Sequence, residues 1–286
     1  MCRFIYYHGE PLSLSKLIIE PKNSLVHQSV HSRERREPLN GDGFGVGWYS
    51  SRGGEQPGLF RSMMPAWNNI NLANLAKVVD SHCILAHVRA STQLGSVCEE
   101  NCHPFVSSQL AFMHNGQVAS FPQVRRTLLE SLSDKAFDVI RGRTDSEHLF
   151  AVFLDQLKVP ADSASAEELG AALVETFRII LELSKNLGTG SDQSYLNVAI
   201  TNGTNAAISR FTTEANYDGE SLYWIQGHRY VCENGMCRMK SQQDGISSVV
   251  VSSERLDENP SWTEVSRNHM LLVSAESSVV HMPIEI

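Results

Sequence analysis

Cys2 carries the most nucleophilic side chain placed where the chain could expose it. A small second residue permits removal of Met1, which would make Cys2 the first residue. One residue then carries both a thiol and an α-amine. That amine has an ordinary pKa of about 7.7–8.0, so it accepts a proton near neutral pH. A terminal amine acting as base for its own side chain is one route to an activated nucleophile. Read alone, Cys2 also fits a small apolar strand residue, because free cysteine is among the most buried residue types.

Three other places carry complementary chemistry. Arg89, in AHVRAST, stands at the end of an apolar run, where a guanidinium can grip a carboxylate through two parallel hydrogen bonds. A surface ion pair is the alternative for a lone arginine. Asn115 and Gly116, in MHNGQ, offer a side-chain amide beside a backbone N–H, two convergent donors of the kind an oxyanion needs. Asn-Gly is equally a hairpin-turn signal, and a turn can present the donors. Asp145, in GRTDSEHLF, is expected in the first turn of a helix, facing a substrate ammonium or complementing the positive end of the helix dipole.

The elements that would position these residues follow from pattern. Residues 2–7 read as a strand at the chain start. Gly41, Gly43, Gly45 and Gly47 recur at every second position, which predicts a turn entering a strand that another backbone approaches closely. Residues 83–91 and 110–114 read as buried strands, each delivering a polar residue at its end. Residues 122–132 and 145–157 read as helices. Thr144 and Glu147 have the spacing of a reciprocal capping box before the second. The clearest helix is 166–187, with Leu169, Leu173, Phe177, Ile180 and Leu187 near one face and Gly188 at its end. The polar, proline-containing stretch 158–165 reads as a surface insertion. Short strands are expected at 195–201, 206–212, 222–226, 248–253, 270–274 and 278–283. Strands before and after a helical middle suit sheets packed on each other and flanked by helices.

Composition narrows the function. With 24 basic and 32 acidic residues the net charge is −8, which repels phosphate backbones and argues against nucleic acid. No run of about 18 apolar residues predicts a membrane span, and the N-terminus lacks the pattern of a secretory signal. The expected compartment is the cytoplasm, where Cys2, Cys83, Cys98, Cys102, Cys232 and Cys237 stay reduced. Cys98, Cys102 and His103, or Cys232 and Cys237, do not have the usual spacing of zinc ligands, so no metal and no cofactor is expected. No GxSxG elbow announces a serine nucleophile.

As an ordered set, Cys2, DGFGVGWY at 42–49, AHVRAST at 86–92, NCHPF at 101–105, MHNG at 113–116 and TDSE at 144–147 resemble the class-II, N-terminal-cysteine glutamine amidotransferases. VSSERL at 251–256, with Trp262 and Val265, extends the resemblance over nearly the whole chain. Among that family the stand-alone members are most similar. They include the amidotransferase subunit of the fungal glutathione-degradation complex and the γ-glutamyl hydrolase of ergothioneine biosynthesis. The resemblance implies an α+β fold, a four-layer αββα sandwich of the N-terminal-nucleophile hydrolase type, formed by residues 1–286 as one domain after loss of Met1. It implies that Cys2 forms a γ-glutamyl thioester and that Asn115 and Gly116 hold the oxyanion. Arg89, with Thr92 beside it, would bind the α-carboxylate, and Asp145 the α-ammonium. The implied substrate is glutathione or a related γ-glutamyl compound, and the implied partner is a separate metallopeptidase-like subunit. Two alternatives remain at this stage: a glutaminase subunit that supplies ammonia to a separate synthase, and a non-catalytic scaffold that keeps the fold.

Overall fold

A computed structural model describes residues 2–34, 39–50, 56–90, 98–188, 190, 192–233, 236–240 and 248–286. Its strands bury side chains on both faces with a period of two. Strand β1 (Arg3–Ser13) sends Ile5 and Tyr7 into one apolar core and Phe4 and Tyr6 into another. Strand β4 (Asp80–Val88) does the same, with Ile84, Ala86 and Val88 on one side and Cys83 and Leu85 on the other. Successive side chains of a strand point to opposite faces, so a strand apolar throughout must be covered twice.

Two antiparallel sheets result. The first has seven strands. Their spatial order is β13 (Thr263–Glu264), β9 (Tyr223–Gly227), β12 (Ser248–Ser252), β1, β4, β2 (Phe44–Trp48) and β3 (Gly58–Ser62). The second has six, in the order β15 (Val279–Pro283), β14 (His269–Val273), β8 (Ala206–Arg210), β7 (Tyr195–Thr201), β6 (Leu110–Gln117) and β5 (Phe105–Ser107). The sheets face each other across a core that includes Phe4, Tyr6, Leu85, Met113 and Leu271. Helices α1 (Ser15–Ile18), α2 (Leu25–Val30) and α3 (Ile70–Val78) cover the outer face of the first sheet through Leu17, Leu25 and Leu72. The hairpin of β10 (Arg229–Glu233) and β11 (Met236–Lys240) joins them with Tyr230 and Met239. Helices α4 (Phe121–Ser131), α6 (Asp145–Gln156) and α7 (Ala166–Leu187) cover the second sheet, and the short α5 (Asp134–Phe137) leads into α6. Three apolar cores thus separate four layers, the αββα arrangement that the resemblance implied.

Local chemistry accounts for the helices. Leu169, Leu173, Phe177 and Ile180 recur every three to four residues and bury one face of α7. Truncating one such residue, Phe177, to Ala would cost about 3–5 kcal/mol. Ser165 and Glu168 exchange hydrogen bonds with each other's backbone to start α7, and Gly188 caps its end. The box expected at α6 forms only in half. Thr144 Oγ1 accepts from the Glu147 N–H, but the Glu147 carboxylate turns to the N–H groups of Arg141 (2.7 Å) and Gly142 (2.6 Å). The incoming loop offers two donors, and the cap residue's single N–H loses the competition. A second expectation is corrected at β10–β11. Cys232 and Cys237 stand directly opposite each other, with Cα atoms 3.9 Å apart, and are joined as a disulfide rather than reduced.

The glycine pattern at 41–47 has the predicted cause. A Cβ added at Gly45 would lie 2.0 Å from the carbonyl oxygen of His103, and one at Gly47 would touch the Pro104 ring at 3.0 Å. Strand β2 is bare on the side where the 102–104 segment crosses it. That crossing brings His103 beside the ends of β1 and β4.

Candidate active site

The start of β1 runs antiparallel to the end of β4, with Arg3 opposite Val88. Cys2 therefore lies next to the residues that follow β4. Its thiol donates to the carbonyl of Ala90 at 3.7 Å. Arg89 is held at this exit by its own backbone: its N–H donates to Gly43 O (2.9 Å), and its carbonyl accepts from Asp42 N–H (3.0 Å). Gly43 adopts φ +107°, a conformation that side chains avoid. Its missing Cβ leaves room for the Cys102 sulfur, which a Cβ would approach to 2.7 Å.

The facing sheet contributes β6. Asn115 pairs with Asn197 and Gly116 with Leu196 of β7. A Cβ on Gly116 would lie 1.8 Å from Tyr195 O, so only glycine fits there. The Asn115 side chain is fully buried, and neither its amide nitrogen nor its oxygen has a hydrogen-bond partner. Unpaired buried polar atoms are uncommon in folded proteins and call for an explanation. The first turn of α6 completes the site. Asp145 accepts the Val118 N–H on Oδ2 and the Ser146 N–H on Oδ1, each at 2.8 Å.

Cys2, Arg89, Gly116 and Asp145 line one cavity of about 280 Å³, together with His103, Ser120 and others. Of the residues singled out from sequence, Asn115 is buried one position from that lining, and Thr92 lies outside the described residues. Burial pushes the Cys2 thiol up to about 11, against the opposing pull of the Ala90 hydrogen bond and of Arg89 and Arg3. Three buried histidines surround this point. Burial holds His87 down to about 3 and His103 well below its ordinary value, so both rings are neutral near pH 7. The two rings stack with centroids 4.2 Å apart. Among the described residues, no group of three or more His, Cys, Asp or Glu side chains is placed to hold a metal ion. No described helix is long and apolar enough to cross a membrane.

Sequence reasoning passed over one feature of the site. Arg3, adjacent to Cys2, is wholly buried at the start of β1, directly before the apolar run 4–7. Its Nη1 donates to the Cys2 carbonyl at 3.1 Å and meets Glu220 at 3.3 Å, while its Nε meets Glu254 at 3.0 Å. The available signals were a charged residue at the head of that run and the glutamate within VSSERL at 251–256.

The sandwich of two antiparallel sheets thus places a cysteine at its first strand and a cation and an anion across one cavity. The profile of the class-II glutamine amidotransferases matches residues 19–210, and the chain belongs to that family. The probable glutamine amidotransferase DUG3 of Saccharomyces cerevisiae is 36% identical, over 98% of this chain and 84% of its own. That similarity extends the family match toward both ends. The gamma-glutamyl-hercynylcysteine sulfoxide hydrolase of Mycolicibacterium smegmatis is 27% identical, over 98% of this chain and 99% of its own. Among solved structures, a glutamine aminotransferase class-II domain protein from Silicibacter pomeroyi superposes with a TM-score of 0.68 at 27% identity, covering both chains entirely. The glutamine phosphoribosylpyrophosphate amidotransferase of Bacillus subtilis shares the fold with a TM-score of 0.62 at 15% identity; all of this chain matches 50% of that one.

Proposed function

We propose that the protein hydrolyses γ-glutamyl amides through a thioester on Cys2, exposed by removal of Met1. The observation that carries this reading is the shared cavity: thiol, guanidinium and carboxylate face one space. A γ-glutamyl group ends in a carbon bearing an ammonium and a carboxylate. Arg89 pairs with the carboxylate and Asp145 with the ammonium. Leaving either charge buried and unpaired costs several kcal/mol, so the two residues act as a set.

The reaction then follows from proton placement. A thiol whose pKa burial raises to about 11 does not ionise unaided at neutral pH. The Cys2 α-amine takes its proton as sulfur attacks the γ-carbonyl carbon. The carbonyl π-bond becomes a C–O⁻, held by the Asn115 amide and the Gly116 N–H. The orphaned Asn115 amide is consistent with that use. Collapse breaks the C–N bond, and the amine leaves with the proton that the Cys2 nitrogen carried. Water then cleaves the thioester, returning the thiol and releasing the γ-carboxylate.

The leaving amine we infer is that of glutathione or a related γ-glutamyl compound, with a metallopeptidase-like subunit as the partner that handles the released peptide. This finer reading rests on the similarity to stand-alone family members, one of which is named as a hydrolase of a γ-glutamyl compound. The test is turnover of glutamine, glutathione and other γ-glutamyl amides by the Met1-processed protein, alone and with co-purified chains. Cys2→Ala is expected to be inactive with its fold intact. Wild-type turnover in that variant would refute the mechanism, and turnover of glutamine alone would refute the substrate.

A further inference from the structure

The cavity draws on different elements: Gly116, beside Asn115, lies near the end of β6, and Asp145 opens α6. His114, the residue before Asn115 in β6, is 1% exposed, and its ring bridges β7 and α6. Its Nε2 meets the Tyr195 carbonyl at 3.0 Å, and its Nδ1 meets Ser146 Oγ at 2.8 Å. A carbonyl only accepts, so the ring proton sits on Nε2. Burial lowers the His114 pKa against the opposing pull of Asp145 and the Tyr195 bond, so the ring is neutral and Nδ1 offers a lone pair. The Ser146 hydroxyl has one proton and donates it there.

That donation has a consequence for Asp145. Ser146 Oγ also lies 3.4 Å from Asp145 Oδ1. Without an acceptor at His114, the hydroxyl would turn its proton onto that carboxylate. Asp145 already accepts two backbone N–H groups, and a third donor would compete with any ligand cation. The carboxylate has about four lone-pair sites, so capacity for a ligand depends on which donors claim them.

We propose that His114 is a positioning residue for substrate selectivity: it draws the Ser146 proton away from Asp145 and so keeps that carboxylate available for the α-ammonium of the substrate. The inference rests on the ammonium-binding role assigned to Asp145 above. Its readout is discrimination, measured as the ratio of kcat/KM for glutamine to kcat/KM for 5-amino-5-oxopentanoate, which is glutamine without its α-ammonium.

His114→Phe keeps a ring in the pocket and removes both nitrogens. It is expected to lower the ratio about tenfold, the worth of one hydrogen bond to a charged group. The double variant His114→Phe/Ser146→Ala, which removes the competing hydroxyl, is expected to recover the ratio. A merely structural role of His114 predicts no such rescue. An unchanged ratio in the single variant, or a double variant no better than the single, overturns the proposal. Should His114→Phe not fold, ¹⁵N NMR of His114 in the Cys2→Ala protein decides instead. The Nε2–H tautomer at neutral pH is expected, and a proton on Nδ1 overturns the proposal. Asp145→Asn run alongside separates the two readings. A ratio unmoved by Asp145→Asn sinks the ammonium assignment itself. A ratio lost there but kept in His114→Phe sinks only the role of His114.

Discussion

The guanidinium of Arg3 and the carboxylate of Glu254, 251 positions apart in the chain, meet at 3.0 Å in the interior, where neither is exposed beyond 1%. Glu254 also accepts from Ser32 Oγ and from the Arg33 N–H. Burial alone would raise its pKa, but those hydrogen bonds and the Arg3 charge prevail and hold it below its ordinary 4.5. This pair ties β1 to the 251–256 segment and, through Arg3 Nη1, holds the Cys2 carbonyl.

Glu254→Gln is therefore expected to destabilise the fold by about 1.5–3 kcal/mol at neutral pH, the worth of hydrogen bonds to a charged group. The pH dependence has a definite sign. A carboxylate whose folded pKa is lowered contributes fully above its unfolded value and loses that contribution as pH falls through the folded one. Urea unfolding of both proteins should show the gap intact above pH 4.5 and closing below it. A gap that stays constant down to pH 2 would mean that Glu254 is not held ionised by Arg3.

Gly45→Ala tests the crossing under the site. The new methyl would sit 2.0 Å from the His103 carbonyl, which is backbone and cannot rotate away. Overpacking of this kind costs about 1–3 kcal/mol, and relief requires the 102–104 segment to lift off β2. We expect a lower unfolding midpoint together with reduced kcat, because His103 lines the cavity that Cys2 faces. Full stability in the variant would show that the segment is not pressed on the strand.

What the chain discloses before folding, and what it hides, divides along physical lines. Periodicity is local, so α7 is bounded at 166–187 and β7 at 195–201 from pattern alone. The glycines at 43, 45 and 47 announce a close approach, yet only the fold says that the 102–104 segment makes it. Cys2, Arg89, Gly116 and Asp145 were named from types and order, and their meeting in one cavity is tertiary. Arg3 was hidden because a buried arginine is stable only with its carboxylates, and Glu220 and Glu254 lie more than 200 positions away. The Cys232–Cys237 bond was hidden because composition and spacing carry no strand register, and it is the hairpin register that sets those two sulfurs face to face.

Arg89→Ala and Asp145→Asn should fail in the same way if they grip the two ends of one carbon. Each removes one partner of a buried charge, worth about 2–5 kcal/mol, so each should raise KM by about 30-fold or more. KM for a substrate lacking the α-carboxylate should be insensitive to Arg89→Ala, and KM for one lacking the α-ammonium insensitive to Asp145→Asn. Sensitivity of both truncated substrates to both changes would assign the residues to folding of the site and not to the substrate.

The last prediction concerns the thiol and its base. In a chain that retains Met1 there is no α-amine on Cys2, and burial keeps the thiol near 11. Alkylation by iodoacetamide, followed at Cys2 by peptide mass spectrometry, should then be slow at pH 7 and rise only toward strongly alkaline pH, because the thiolate is the reacting form. Loss of Met1 supplies an amine whose ordinary pKa is about 7.7–8.0. The processed chain should alkylate faster at neutral pH, with an inflection near that value. Cys83, buried and pushed up to about 12, serves as the internal control and should stay unreactive in both. Both chains share the described residues that line the cavity, so the pH profile, with its inflection near the amine's value, is what separates them. Equal rates and equal pH profiles for the two chains would leave the sulfur without its base and remove the reason for placing the nucleophile at position 2.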